Sequence, residues 1–454
     1  MSSSIDVIGG VGGLEVQYDD LSAAAGLLQS AAGDVVAAAV GAQRVVADAG
    51  LLASSVLDPG GFARVEAAVL AAVAGPHGLL AAAARLEERS LRLRAAVLRY
   101  EAADELDTEQ REIRQWAEGT AAALSLPLLP LLAVSPLGQV TARWVADGDA
   151  TRFLTEHPAV AQDAAGAAPS FLTVVLSGGT QPMSLEDESA LLARLYPPGT
   201  AEVTARGTDV DAPGVPAGIG DLMTALEHRD ALSGGEAQGE IDIRRITRVD
   251  AGGHTVASWI VDLPGTKDWQ FDPRSRVHLN DLATNLTTMA GDASARIDGL
   301  TRALELAGVG AHDPVMLVGH SQGGLVALRA AEQYSGDRRF HVTHVVTAGS
   351  PIARMSVPES VSVLALENRF DLVPQLDGRP SPDQHNRITV LLDAQSHDVG
   401  RNHAISSAYL PGARALDGIN DPSLSAWRHS ASVFFAGDDD VSVRTTVWDI
   451  RNRS

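Results

Sequence analysis

The stretch Val315-Met316-Leu317-Val318-Gly319-His320-Ser321-Gln322-Gly323-Gly324 decides how the fold of this chain is interpreted. Its first four residues predict a short buried strand, and residues 324–334 carry the spacing of an amphipathic helix. A Gly-x-Ser-x-Gly pattern between a strand and a helix is typical of a tight turn that lifts the serine hydroxyl out of the sheet. Small residues are needed on both sides because the turn is strained. Ser321 is therefore our candidate nucleophile.

A neutral serine is a weak nucleophile, so it needs a base that is held by an acid. The preferred acid is Asp371, which follows the apolar run 361–366 and therefore lies where a strand ends. Glu367 is the second choice and Asp377 the third. Each of these carboxylates lies after Ser321 in the chain and before the candidate bases.

Two histidines follow the last predicted strand, at residues 388–392. We favour His403 as the base because it begins a helical stretch from which an imidazole can reach across the sheet edge, and His397 is the alternative. His320, inside the turn, is expected to pack against the site or polarise it. The group His397, Asp398 and His403 lacks the i, i+4 spacing of helical metal ligands. We predict no metal and no cofactor.

A tetrahedral oxyanion needs two N–H donors near the serine. The first is predicted to be the backbone N–H of Gln322, at the N-terminus of the following helix. The second is predicted to be Thr266, in the turn Pro264-Gly265-Thr266, because a single helix (282–307) separates it from the serine strand. The alternative turn is Ser177-Gly178-Gly179, which also reads as a plain turn.

Short apolar strands alternate with helices from residue 166 onward, which predicts a largely parallel sheet that is buried on both faces. Ala251-Gly252-Gly253 separates two of these strands and predicts a hairpin. The region 184–239 is rich in Gly and Pro, and it is either a lid over the site or a passive excursion. The predicted strands are 171–176, 241–250, 254–263, 315–318, 342–346, 361–366 and 388–392.

Residues 1–118 are predicted to form a helical hairpin or bundle, in which turn chemistry places a break at Asp58-Pro59-Gly60-Gly61. Residues 119–165 form an apolar linker. Its uncharged part, 119–141, is interrupted by three prolines, which favours a buried or bridging linker over a membrane span. Apolar residues recur every seven positions, which indicates helix–helix packing. They are Leu21, Leu28 and Val35, then Leu79, Leu86, Leu93 and Tyr100.

Composition limits the partners of this chain. It has 454 residues, a formal charge of -22, and no cysteine. Such a charge repels phosphate backbones, so nucleic acid is excluded as a partner, and membrane contact is left open. Disulfides and a cysteine nucleophile are excluded. Lys267 is the only lysine, and heavy use of Ala, Gly, Val, Asp and Arg fits a high-GC bacterial genome.

Residues 240–410 resemble bacterial α/β-hydrolases of the lipase and esterase kind. Asn368-x-x-Asp371-x-Val373-Pro374, after Ala348-Gly349-Ser350-Pro351, looks like the acid region of class 3 lipases, and it also resembles mycobacterial cutinase-like domains. The chain departs from lipases that carry a His-Gly oxyanion turn. The resemblance implies an α/β-hydrolase fold over 166–454 with a mostly parallel sheet, preceded by an all-α helical-hairpin domain. It also implies cleavage of lipid or short-chain carboxylic esters without a cofactor.

The N-terminal region is similar to helical hairpins of the WXG100 type, which actinobacteria export by type VII secretion. Tyr100-Glu101-Ala102-Ala103-Asp104 matches the Tyr-x-x-x-Asp/Glu export pattern, whereas the Trp-x-Gly turn is absent. The resemblance implies a secreted or cell-surface location, with a cytoplasmic one as the alternative. It also implies a helical partner protein bound through residues 1–118.

Two other functions remain open at this point. An acyltransferase or thioesterase would use the same serine, acid and histidine. A secreted helical interaction protein with a vestigial hydrolase domain would not use them at all.

Overall fold

The computed structural model describes residues 5–125, 157, 160–166, 184–194, 196, 199–234, 237–249, 253–267, 279–291, 294–437 and 441–453. They form two compact units. One comprises Leu14–Arg111, and the other comprises Met1–Gly13 together with Glu112–Ser454. The predicted strand at 171–176, the turn at Ser177 and most of the predicted linker lie outside the described residues.

The larger unit is built on one sheet, in which the described strands follow the order β1-β8-β7-β6-β5-β4-β3-β9-β2. The strands are β1 Asp6–Gly9, β2 Ala201–Thr208, β3 Glu240–Val249, β4 Thr255–Leu263, β5 Pro314–His320, β6 His341–Ala348, β7 Ser362–Asn368, β8 Arg387–Leu392 and β9 Val441–Asn452. Strands β4 to β8 pair in parallel, and the pairs at both sides of this group are antiparallel. The predicted hairpin and the predicted mostly parallel sheet are confirmed.

Helices cover both faces of the sheet. The helices of this unit after residue 184 are α5 Leu185–Ala193, α6 Ile219–Leu232, α7 Leu282–Met289, α8 Ala295–Ala307, α9 Gln322–Asp337, α10 Val399–His403, α11 Leu410–Leu416 and α12 Pro422–Ser430. Alternate residues of β5 enter opposite cores: Val315 and Leu317 pack with α8 and α9, whereas Met316 and Val318 pack with α6, α11 and α12. This alternation is the period of two that a strand imposes.

The predicted single helix at 282–307 is wrong, because two helices occupy that stretch. Gly291 takes the left-handed conformation (φ 79°) shortly after α7 ends. Ser294 then starts α8 by accepting a hydrogen bond from the backbone N–H of Arg296. A left-handed glycine followed by an N-cap serine ends one helix and begins another. Gly308 ends α8, as predicted.

The segment 184–239 is part of the fold over its described length rather than a passive excursion, and its role as a lid stays a prediction. Its strand β2 pairs antiparallel with β9 at the edge of the sheet. Its helix α6 buries Leu222, Met223 and Leu226 in the core that β5 also enters. The segment therefore belongs to the fold, and the sequence concealed this because β2 is mostly exposed and lacks apolar alternation.

The first residues of the chain also differ from the prediction. Residues Asp6–Gly9 were expected in a helical domain spanning 1–118, but they form edge strand β1 and pair with β8. The Ser423 hydroxyl donates to the Gly9 carbonyl at 2.9 Å and accepts from the Gly12 N–H at 2.9 Å. Four residues carry too little pattern for a strand to be predicted from sequence.

The unit Leu14–Arg111 consists of long helices, as predicted. They are α1 Leu14–Val46, α2 Ala49–Ser54, α3 Pro59–Ala74 and the part of α4 (Leu79–Ser125) that lies in this unit. In α1 and α4 the most buried side chains of this unit lie four positions after the predicted apolar seam and repeat every seven residues: Ala25, Ala32 and Ala39, then Ala83, Ser90 and Val97. Small side chains let the helix backbones approach, and the Ser90 hydroxyl donates to the Ala25 carbonyl at 2.7 Å.

Two helical stretches in this unit, Leu14–Ser54 and Pro59–Ala102, are long and apolar enough to cross a membrane. This is a statement about length and composition alone, because core helices pass the same test.

We predict that Gly323→Ala destabilises the protein by about 2 kcal/mol or more, as overpacking does in a filled core. A Cβ at Gly323 would lie 1.9 Å from the carbonyl oxygen of Leu263, at the end of β4. The matched control is Gly336→Ala in the same helix, where nothing lies within 4 Å. The free energy of unfolding of that control should rise by up to about 1 kcal/mol, because alanine has the higher helix propensity. Urea denaturation measures both, and a Gly323→Ala protein as stable as wild type would contradict the packing described here.

Candidate active site

Ser321 occupies a strained turn between β5 and α9. Its backbone has φ 54° and ψ -118°, outside the regions that residues other than glycine ordinarily adopt. The turn is closed by small residues, because a Cβ on Gly319 would lie 2.3 Å from the carbonyl carbon of Gly323. The Ser321 N–H donates to the Ala348 carbonyl of β6 at 2.9 Å, which fixes the turn to the neighbouring strand.

Asp371 and His403 lie together at the same edge of the sheet. The Nδ1 atom of His403 is 2.7 Å from Oδ2 of Asp371. Asp371 is fully buried, and its Oδ1 accepts from the Val373 N–H at 2.9 Å. A carboxylate beside Nδ1 favours the tautomer that carries its proton there, which leaves Nε2 of His403 able to accept a proton. The side chain of His403 is 18% exposed, so a ligand can reach it.

Gly349 brings this pair close to Ser321. It follows Ala348, whose carbonyl accepts from Ser321, and it has φ +61°. A Cβ at this position would lie 3.0 Å from Oδ2 of Asp371 and 3.1 Å from Cε1 of His403. Glycine is needed here for both the backbone angle and the space. The structure thus brings Ser321, Asp371 and His403 to one place.

His320 supports the loop that carries His403. Its Nε2 lies 2.9 Å from the His403 carbonyl oxygen, and the two imidazole rings are 4.5 Å apart. Burial, together with the nearby charge of His403, lowers the pKa of His320 to about 4. His320 is therefore neutral near pH 7 and donates its Nε2 proton to that carbonyl. This geometry agrees with a packing role and gives His320 no hydrogen bond to the Ser321 hydroxyl.

The two predicted oxyanion residues flank Ser321. Gln322 is the first residue of α9, where backbone N–H groups have no acceptor within the helix. The loop after β4 passes directly against the nucleophile, since a Cβ on Gly265 would lie 3.1 Å from Cβ of Ser321. Thr266 follows in that loop and is half-buried. The alternative donor turn at 177–179 lies outside the described residues.

The alternative acids and base do not join this group. Glu367 is buried, and its Oε1 accepts from the Ser381 hydroxyl at 2.5 Å. Asp377 accepts from the Ala353 N–H at 2.7 Å. His397 is exposed, whereas His403 contacts Asp371.

Three residues that the sequence reasoning missed support the site. The Tyr409 hydroxyl donates to Oδ2 of Asp371 at 2.5 Å, and burial raises its pKa well above the usual value. Asn368 donates to the Asn402 carbonyl at 2.8 Å and so ties the end of β7 to the loop of His403. Asn285 contacts both oxyanion residues. Only Asn368 had a sequence signal, because it opens the pattern that contains Asp371.

Comparisons with known proteins agree with this architecture. Residues 242–451 match the model of the alpha/beta hydrolase family. With the long helices earlier in the chain, the predicted fold class is confirmed.

Among solved structures, the chain is similar to EstE1, described as a thermophilic and thermostable carboxylesterase cloned from a metagenomic library. The identity is 14%, the TM-score is 0.23, and the match covers 56% of this chain and 96% of that chain. The search of curated proteins found no match.

We predict that Tyr409→Phe destabilises the protein more than Tyr334→Phe does. Both hydroxyls are buried, but Tyr409 donates to a carboxylate and Tyr334 pairs with the Thr301 hydroxyl at 2.8 Å. A hydrogen bond to a charged group contributes about 1.5–3 kcal/mol, against about 1 kcal/mol for a neutral pair. Urea denaturation measures both variants. Equal losses would show that the Asp371 contact is no stronger than the neutral one.

Glu367 should make stability depend on pH. Burial raises its pKa from 4.5 to about 7, and the Ser381 hydrogen bond offsets only part of that rise. The folded protein therefore holds a proton that the unfolded chain releases, so this contribution to stability is complete below pH 4.5 and is lost as pH rises through 7.

Glu367→Gln stays neutral at every pH and should lose less stability than wild type between pH 5 and 8.5. We expect a difference on the order of 1–3 kcal/mol at the alkaline end. The measurement is urea denaturation of both proteins across that range, and parallel curves would refute the assignment.

Proposed function

We propose that this protein is a serine hydrolase that cleaves carboxylic esters through an acyl-enzyme. One observation carries the proposal: the strained turn of Ser321 contacts the loop of His403 through His320, and Nδ1 of His403 lies 2.7 Å from Oδ2 of Asp371. The match of residues 242–451 to the alpha/beta hydrolase family supports hydrolysis as the reaction type.

In the first half of the reaction, Oγ of Ser321 attacks the ester carbonyl carbon while Nε2 of His403 takes the hydroxyl proton. The carbonyl π electrons move to oxygen, and the resulting oxyanion accepts from the backbone N–H groups of Gln322 and Thr266. Asp371 keeps the proton on Nδ1 and stabilises the imidazolium. The C–O bond to the alcohol then breaks, and His403 protonates the departing oxygen.

In the second half, a water molecule attacks the acyl-enzyme and gives its proton to Nε2 of His403. The tetrahedral intermediate collapses, the bond to Oγ of Ser321 breaks, and the serine recovers its proton. The carboxylic acid leaves. Each step uses proton transfers among side chains that the fold already holds, so the mechanism needs no cofactor.

The elements around the site suit these roles. The partial positive charge at the N-terminus of α9 faces the oxygen that becomes negative. Asp371 is fully buried, and its carboxylate oxygens face three donors: His403, Tyr409 and Val373. A buried carboxylate without such donors would be protonated and would no longer fix the imidazole.

We predict that Ser321→Ala lowers kcat/KM on p-nitrophenyl esters about a thousandfold or more. His403→Ala should have a similar effect, and the matched control His397→Ala should retain most of the activity. Esters with short and with long acyl chains are assayed, so that the wild-type rates also show which acyl chain length is preferred. Activity of Ser321→Ala equal to wild type would overturn the proposal.

Labelling with a fluorophosphonate probe separates a working site from a vestigial one. The wild-type protein should react at Ser321, as located by peptide mass analysis, and Ser321→Ala should not react. A wild-type protein that stays unlabelled at the concentration that saturates a reference esterase would count against the mechanism.

A further inference from the structure

The side chain of Asn285 connects the two residues that flank the nucleophile. Asn285 lies in the first half of α7, between β4 and β5. Its Oδ1 accepts from Nε2 of Gln322 at 2.8 Å, and its Nδ2 donates to Oγ1 of Thr266 at 3.0 Å. One amide group therefore bonds to both arms of the site, one on the turn after β5 and the other on the loop after β4.

We infer that Asn285 is the positioning residue of the oxyanion hole, holding the N–H groups of Gln322 and Thr266 at a fixed separation. This inference rests on the proposed function, in which those two N–H groups stabilise the oxyanion. Asn285 does not touch the reacting atoms itself. It acts through the side chains of the two residues that donate.

The two residues just before α7, Asn280 and Asp281, strengthen this arrangement. The second proton on Nε2 of Gln322 goes to the carbonyl of Asp281 at 2.7 Å. Nδ2 of Asn280 donates to the Gly265 carbonyl at 3.3 Å. The Lys267 N–H donates to the Asn280 carbonyl at 3.0 Å. We call residues 280–285 the brace, because they bond to both arms of the site.

Burial restrains the side chain that the brace holds. Gln322 is 2% exposed, Asn280 is fully buried and Asn285 is half-buried. Nε2 of Gln322 donates to two acceptors, and the loss of either would not be compensated by bulk water. The two arms also approach each other through their backbones, at Gly265 with Ser321 and at Gly323 with the Leu263 carbonyl, whereas the brace links them through side chains.

Asparagine fits this position because it supplies one acceptor and one donor at once. The acceptor faces an amide N–H and the donor faces a hydroxyl oxygen. An ionised aspartate keeps the acceptor, lacks the donor, and adds a negative charge beside an oxygen that becomes negative during the reaction. The effect of Asn285 should fall on kcat more than on KM, because the oxyanion forms only in the transition state.

The first test is Asn285→Ala, assayed on a p-nitrophenyl ester. We expect kcat to fall about 10- to 100-fold with KM changed less than about threefold, since a misplacement of about 1 Å costs up to a hundredfold. The matched control is Asn386→Ala. Asn386 likewise donates one hydrogen bond from Nδ2, here to the backbone carbonyl of Pro358 at 3.0 Å. It lies just before β8, at the N-terminal ends of the parallel strands, away from the site. A wild-type kcat in folded Asn285→Ala would overturn the inference.

The second test is Asn285→Asp, which keeps the size of the side chain if the alanine variant does not fold. Its kcat divided by that of wild type should rise as pH is lowered, because a protonated carboxyl regains a donor and loses its charge. A loss caused only by altered packing would give a ratio that does not change with pH, and that result would overturn the inference.

Coupling between the arms is tested with Thr266→Val, which removes the hydroxyl and keeps the backbone N–H. The kcat of the double variant Asn285→Ala/Thr266→Val should lie within about twofold of the kcat of Asn285→Ala alone, since both changes break the same contact. Fully multiplicative losses would contradict the coupling.

Fluorophosphonate labelling keeps this inference distinguishable from the proposed function. A wild-type protein that is labelled at Ser321, together with unaffected turnover in Asn285→Ala, would refute the positioning role alone. A wild-type protein that is neither labelled nor inactivated by Ser321→Ala would refute the proposed function and the positioning role with it.

Discussion

The contact between the first turn of α9 and the end of β4 is the constraint on which the rest of the site depends. Gly323 lies where any side chain would collide with the Leu263 carbonyl, so the helix is able to start directly beside the neighbouring strand. That closeness forces Ser321 into its unusual backbone angles and brings the loop after β4 against it. Ser321 and the loop that carries Thr266, the second N–H donor that we propose, thus meet at this backbone-to-backbone approach.

The second half of the site depends on the hydrogen bonds that surround a buried carboxyl group. Asp371 has no exposed surface, and its two oxygens accept from a histidine, a tyrosine and a backbone N–H. Glu367, close to it in sequence, is also buried, but its hydrogen bond from Ser381 leaves its pKa at about 7. The two buried carboxyls therefore differ in the number of hydrogen-bond donors that surround them.

The sequence predicted the parts of the fold that carry a strong local pattern. The strands and the turn around Ser321 follow from apolar runs and from glycines at fixed offsets, and Gly308 followed from helix-ending chemistry. Strands β1 and β2 were missed because one is four residues long and the other is largely exposed. Tyr409 and Asn285 were missed for a different reason: each acts through a side-chain contact with a residue 38 or 37 positions away, which no local pattern encodes.

The pairing of β1 with β8 makes the larger unit discontinuous along the chain. Residues Met1–Gly13 belong to it, residues Leu14–Arg111 do not, and the chain re-enters it at Glu112. The helical unit is therefore inserted between an edge strand and the rest of its sheet. The pairing of β1 with β8 brings together residues that are far apart in the chain. This edge of the sheet can therefore form only after β8 has formed. A cut made to remove the helices from the N-terminal side would also remove a strand, whereas an excision between the two junctions would spare the sheet.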